Sequence, residues 1–142
     1  MLVFSGHTEY ATLLAELHKH CFPIPWSEKE MFNLLQLPST IAWVTEDCFL
    51  ICSQVLDEME ILTIGVLPEK RKQHLASRLL EVLITYAKSN NVHKIFLDVS
   101  VQNQPAQGLY AKFGFIKNGV RKAYYTTPTG VEDALCLIKE IN

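Results

Sequence analysis

The sequence predicts one mixed α/β domain, with antiparallel strands first and a single parallel crossover later. Three observations carry this. Between residues 40 and 67 three strand-like runs follow one another with short turns between them, the pattern of strands paired with their chain neighbours. Between residues 60 and 99 a strand, an amphipathic helix and a second strand alternate, which sets two strands parallel. The 142 residues fit a single domain, 1–142, able to bury roughly two thirds of its unfolded surface without a disulfide or metal staple.

The elements follow in order. Leu2 to Phe4 reads as a short first strand. Thr8 is a candidate N-cap for a helix whose apolar residues Leu13, Leu14, Leu17 and Cys21 recur at helical spacing. Pro23 and Pro25 break it. Ser27 and Glu30 form a capping box for a second helix with Met31, Leu34 and Leu35 on its apolar face, ended by Pro38. Thr40–Thr45 and Phe49–Val55 flank a turn at Glu46-Asp47 and read as a hairpin. Glu60–Leu67 is the next strand. Leu75, Leu79, Leu80, Leu83, Ile84 and Ala87 trace an amphipathic helix stopped by Asn90-Asn91. Lys94–Val99 is a buried strand, and a short helix over Pro105–Phe113 ends at Gly114, a candidate C′ residue. Phe115–Val120 and Val131–Ile141 are the last strands, joined through Thr127-Pro128-Thr129-Gly130. The predicted order is β-αα-βββ-α-β-α-ββ.

Bulk properties narrow the partners. A net charge of -2 argues against nucleic acid as a partner. No basic segment precedes an apolar core at the N-terminus, and no apolar run approaches twenty residues, so neither secretion nor membrane insertion is expected. Cys21, Cys48, Cys52 and Cys136 form no CxxC pair and read as free thiols of a cytoplasmic chain. His18, His20 and Cys21 do not make a metal site, because residues two apart on a helix diverge and no second ligand pair completes a tetrahedron.

The stretch PEKRKQHLAS, residues 68–77, lies between a strand and a helix and gathers Lys70, Arg71 and Lys72, with Arg78 just beyond. A helix N-terminus offers unpaired N–H groups and the positive end of the macrodipole, a place for an anion. The same charges could equally solvate a turn. The stretch has no GK[ST] ending and no GxGxxG, so it is neither a Walker loop nor a dinucleotide fingerprint.

RKQHLA, residues 71–76, resembles the acetyl-CoA pyrophosphate motif Gln/Arg-x-x-Gly-x-Gly/Ala of the GNAT N-acetyltransferase family, with Arg71 first and Ala76 last. EILTIGVLPEKRKQHLASRLL is similar to the family's fourth strand and third helix, and LDVSVQNQPAQGLYAKFGF to its next strand and helix. CFPIPWSEKEM and RKAYYTTPTGVEDALCL resemble the subgroup that acetylates the N-terminal alanine of a ribosomal protein, so similarity spans essentially the whole chain.

This resemblance implies the GNAT fold: a mixed, mostly antiparallel sheet of about seven strands, four flanking helices, and a cofactor cleft where the fourth and fifth strands splay apart. It implies acetyl-CoA as donor and coenzyme A as product. The backbone of Ile64, Gly65 and Val66 would bind the pantetheine arm, and Arg71, Lys72, Gln73, His74, Leu75, Ala76 and Ser77 the pyrophosphate. Gly65 inside a strand also suits a bulge or close backbone approach. His74 stands where the family has glycine; at a helix N-terminus a right-handed backbone is expected, which histidine adopts freely. Tyr110 matches the family's general acid and Asn103 its cofactor-binding asparagine, although either residue alone reads as a packed tyrosine or a helix cap. Asp98 takes the position of the subgroup's glutamate base, one methylene shorter, so that a water relay is expected; Glu60 is the second candidate base. Trp26, Tyr124 and Tyr125 would border the acceptor peptide.

The expected function is N-terminal acetylation of a small-subunit ribosomal protein, by direct transfer within a ternary complex, in a monomer or weak dimer. The alternatives are acetylation of a lysine or small amine, or an acyl-CoA-binding module with little catalysis.

Overall fold

The computed structural model describes residues 2–4 and 7–142. In chain order the elements are β1 (Leu2–Phe4), α1 (Ala11–Cys21), α2 (Glu28–Leu35), β2 (Thr40–Val44), β3 (Cys48–Val55), β4 (Glu58–Val66), α3 (Leu75–Ser89), β5 (Lys94–Ser100), α4 (Gln104–Lys112), β6 (Ile116–Thr127) and β7 (Gly130–Glu140). The strands form one seven-stranded sheet in the order β1-β2-β3-β4-β5-β7-β6. Each neighbouring pair is antiparallel except β4 and β5, the pair that α3 separates in the chain.

Alternation along the strands places an apolar core on each face of the sheet. On β3, Cys48, Leu50 and Cys52 point to one face, where they meet Leu79, Leu80 and Leu83 of α3. Phe49 and Ile51 point to the other, against Leu14 and Leu17 of α1 and Met31 and Leu35 of α2. Both Cys48 and Cys52 are therefore core residues. No helix among the described residues is long and apolar enough to cross a membrane.

Local signals explain most boundaries. The capping box forms as expected: Glu30 N–H donates to Ser27 Oγ at 3.1 Å, and Ser27 N–H to Glu30 Oε1 at 3.2 Å. Gly114 has φ 87°, the left-handed C′ conformation that ends α4. Four expectations change. Thr8 does not cap α1, because a 3-10 turn over Thr8–Tyr10 precedes it and the helix starts at Ala11. Leu13 is exposed, and the buried face of α1 is Ala11, Leu14, Leu17 and His18. β4 starts at Glu58, because Leu56 adopts a left-handed φ of 56° and makes a tight turn with Asp57. β6 runs on to Thr127; its outer position leaves residues 121–124 exposed, so no apolar alternation marks them in the sequence.

One irregularity prepares the site. In β4, Met59 and Ile61 face the α3 core, and so do Ile64 and Val66. The period of two is broken at Leu62, where pairing with β3 shifts from Cys52↔Ile61 to Ile51↔Thr63, a β-bulge. At the same level β4 and β5 part. Their parallel pairing runs from Glu58↔Lys94 to Ile61↔Leu97, and beyond it β4 continues to Val66 and β5 to Ser100 unpaired with each other.

Candidate active site

Below the parting, β4 and β5 are ordinary sheet neighbours; above it each has one edge without a strand partner. Thr63–Val66 pairs with β3 on one side, and Asp98–Ser100 with β7 on the other. On the free β4 edge, Ile64 and Val66 turn their backbone groups away from β3 toward the gap, which suits an extended ligand lying there like an added strand. Gly65 is a packing glycine. A Cβ there would stand 2.6 Å from Phe49 Cζ and 3.1 Å from Cys21 Sγ. Of the bulge or close approach expected at Gly65, the bulge sits at Leu62 instead.

At the upper end of β4 the chain turns into α3. Arg71 folds back, its Nε–H donating to the Val66 carbonyl at 3.1 Å, so this cation buttresses the turn. The first intrahelical bond of α3 runs from Arg78 N–H to the His74 carbonyl at 3.1 Å, leaving the N–H groups of Leu75, Ala76 and Ser77 without intrahelical acceptors. Lys72, Gln73 and His74 are exposed before them. Lys72 and His74 are left-handed, with φ of 63° and 61°. The right-handed conformation expected for His74 is thus overturned. Extended Arg71 and left-handed Lys72 reverse the chain sharply, and His74 must turn it once more into the helix. This explains a glycine preference at that position: the backbone, and not only space, asks for it. The exposed N–H groups and cations together suit a pyrophosphate.

On the α3 face, Tyr110 projects from α4. Its ring is buried edge-to-face on Phe115, with centroids 5.7 Å apart. Its hydroxyl makes no hydrogen bond among the described residues, yet no buried side-chain oxygen lacks a partner, so that oxygen reaches the surface. Burial, with a smaller contribution from Cys52, pushes this phenol well above its usual range and keeps it protonated. Asn103 caps α4, its Oδ1 accepting from Ala106 N–H at 3.2 Å.

On the opposite face the carboxylates meet. Glu60 of β4 and Asp98 of β5 line one cavity of about 460 Å³, with Ser53, Phe96, Arg121 and Cys136. Asp98, only 14% exposed, lies 3.6 Å from Arg121 Nε, which holds its orientation. Arg121 also stands over the Tyr124 ring, 5.1 Å from its centroid. Tyr124 is exposed and packs edge-on against half-buried Tyr125 at 5.0 Å. Burial, then Asp98, pushes the Tyr125 hydroxyl up.

Sequence reasoning missed His18, which it weighed only as a metal ligand. His18 is 3% exposed, stacked between Phe22 at 4.3 Å and Trp26 at 4.8 Å. Burial pushes its imidazole down to about 4, against a weak opposing pull from Glu30. The available signal was its place four residues after Leu14, on the apolar stripe of α1.

The residues present thus fit acetyl-CoA: an open strand edge for the arm, a helix N-terminus for the pyrophosphate, and a protonated phenol on the α3 face of the sheet. Comparison with known proteins agrees. The sequence profile of the Acetyltransferase (GNAT) family matches residues 11–115. The [ribosomal protein bS18]-alanine N-acetyltransferase of Salmonella typhimurium is 34% identical over 131 residues, covering 89% of this chain and 87% of that one. The crystal structure of the ribosomal-protein-S18-alanine N-acetyltransferase from Escherichia coli superposes with a TM-score of 0.90 at 29% identity, over 99% of this chain and 94% of that one. Arabidopsis thaliana NAA60, solved with acetyl-CoA, shares the fold at a TM-score of 0.82 and 19% identity, over 99% of this chain and 98% of that one.

Proposed function

This chain belongs to the GNAT family of acetyltransferases, enzymes that use acetyl-CoA, and from that premise we propose that it acetylates the N-terminal alanine of ribosomal protein bS18 in the cytoplasm. The reading is carried by the parting of β4 and β5 at Ile61 and Leu97, which has Tyr110 on one face and Glu60 and Asp98 on the other. A donor lying in the gap and an acceptor lying over the carboxylates would then approach each other through the sheet, without a covalent enzyme intermediate.

Acetyl-CoA supplies an activated acetyl thioester. The backbone of Ile64, Gly65 and Val66 would align its arm, Arg71 to Ser77 would hold the pyrophosphate, and Asn103 would help bind the cofactor while capping α4. A free N–H at Val66 would polarise the carbonyl, as an oxyanion hole does. Holding both reactants in register is worth roughly 7–11 kcal/mol in favourable cases. Asp98 takes the amine proton through a water, since its short side chain is held by Arg121; Glu60, on the same cavity wall, is the alternative base. The Tyr110 hydroxyl gives its proton to the departing sulfur. An α-amine of pKa about 7.7–8.0 is roughly a tenth neutral at pH 7, against under a thousandth for a lysine at about 10.4, so a relayed base suffices. Trp26, Tyr124 and Tyr125 would wall the acceptor.

Free-thiol release from acetyl-CoA tests this, with a hexapeptide beginning in alanine and its N-terminally blocked twin carrying an internal lysine. Turnover with the free terminus alone is expected. Turnover with the blocked peptide would replace the reading with a lysine acetyltransferase.

A further inference from the structure

The loop between α1 and α2 carries Trp26; Phe22 and Trp26 pack on the core, and one buried side chain supplies the loop's side-chain hydrogen bond to the body. Trp26 N–H donates to His18 Nδ1 at 3.0 Å. A backbone N–H can only donate, so Nδ1 bears a lone pair and the neutral ring carries its proton on Nε2. That nitrogen lies 3.3 Å from Thr63 Oγ1 and donates to it. Thr63 sits in β4 directly after the bulge, between Leu62 and the cofactor-binding run Ile64–Val66. The imidazole is also sandwiched by Phe22 and Trp26, with ring planes 25° and 16° from its own. One buried ring therefore ties three parts together: α1, the loop of residues 22–27, and the free-edged segment of β4.

A phenylalanine could fill this space and stack as well. It could make neither hydrogen bond, whereas the neutral histidine accepts from the loop on one edge and donates to the strand on the other. No other side-chain hydrogen bond joins the loop 22–26 to the body among the described residues. We propose that His18 is a positioning residue of the acceptor groove, fixing Trp26 and its loop relative to the strand that holds the donor. This rests on the reading of Trp26 as a wall of the acceptor site. His18 touches neither reactant and takes no part in proton transfer.

The test compares His18→Phe, which keeps the stacking and removes both hydrogen bonds, with His18→Asn, whose Oδ1 can still accept from Trp26 N–H. Steady-state kinetics with the alanine hexapeptide are expected to show the peptide KM of His18→Phe raised about tenfold, the loss of a net hydrogen bond of ordinary strength. Both kcat and the acetyl-CoA KM should stay within about twofold of the parent, and His18→Asn should recover much of the peptide KM. Amide hydrogen exchange over residues 22–27 is read in the same variants and needs no acceptor. It should quicken about tenfold in His18→Phe and recover in His18→Asn. If the parent enzyme ignores the hexapeptide, the acceptor assignment fails, while unchanged exchange would sink the clamp itself. Faster exchange with an unchanged peptide KM, or equal losses against both substrates, would reduce His18 to a packing residue and overturn the proposal.

Discussion

Tyr110 and His74 show how differently single residues can be read. Tyr110 packs and, in the proposed mechanism, also does chemistry: its ring is buried while its hydroxyl reaches the surface and stays protonated. Tyr110→Phe keeps the ring on Phe115, so the fold should persist; kcat should fall about 10²–10⁴-fold with the acetyl-CoA KM little changed, measured by thiol release. An unaltered kcat would remove Tyr110 from the mechanism. His74 is the reverse case, a residue that fits its neighbours but not its backbone. A left-handed non-glycine residue costs about 1–2 kcal/mol, and glycine gives back about 0.5–1 kcal/mol in unfolded-state entropy. His74→Gly should therefore stabilise by up to about 1.5 kcal/mol, seen as a small rise in Tm, and should not weaken acetyl-CoA binding by calorimetry. The identity of His74 was plain in the sequence, whereas its φ was not. That φ depends on where the helix starts, and α3 begins one residue later than a right-handed His74 would need.

Among elements, β4 is the one on which the site turns. Its bulge at Leu62 reverses the faces of the strand, which brings Thr63 and Gly65 onto the α1 face that Glu60 occupies lower down. Glycine at 65 then makes room for Phe49, a side chain with no exposed surface to retreat into. Gly65→Ala should cost about 1–3 kcal/mol through overpacking and lower Tm accordingly. A melting temperature equal to the parent's would mean that Phe49 moves aside without cost. The edge strand β6 was legible only in its first part. From Arg121 to Tyr124 it is exposed and its register slips between Arg121 and Tyr125, so the usual alternation is absent.

Across the whole molecule, the fully buried polar side chains among the described residues are His18, Thr40 and Thr63, and His18 is the one that titrates. Its folded value of about 4 lies below the ordinary 6.5, so the unfolded chain binds the extra proton between those values. Stability from this group is full above pH 6.5 and is lost as pH falls toward 4, by about 3 kcal/mol if the whole shift is expressed. Glu30 is the one charged neighbour that opposes the shift. Thermal unfolding at pH 7 and pH 4.5 should show the parent losing more stability on acidification than His18→Phe. Equal losses would show that His18 does not govern the acid side.

Local patterning settled the element order, the capping box at Ser27, the stop at Gly114 and the amphipathic face of α3, because each depends on residues within a few positions of one another. The family motifs around Arg71, Asn103 and Tyr110 were legible for the same reason. The parting of β4 from β5, the cavity shared by Glu60 and Asp98, and the role of His18 were decided only when distant segments met. His18 and Thr63 are 45 positions apart in the chain, and their hydrogen bond exists because α1 packs on β4. Spacing along a chain encodes which face a side chain takes; which partner waits on that face is set by the packing of the sheet.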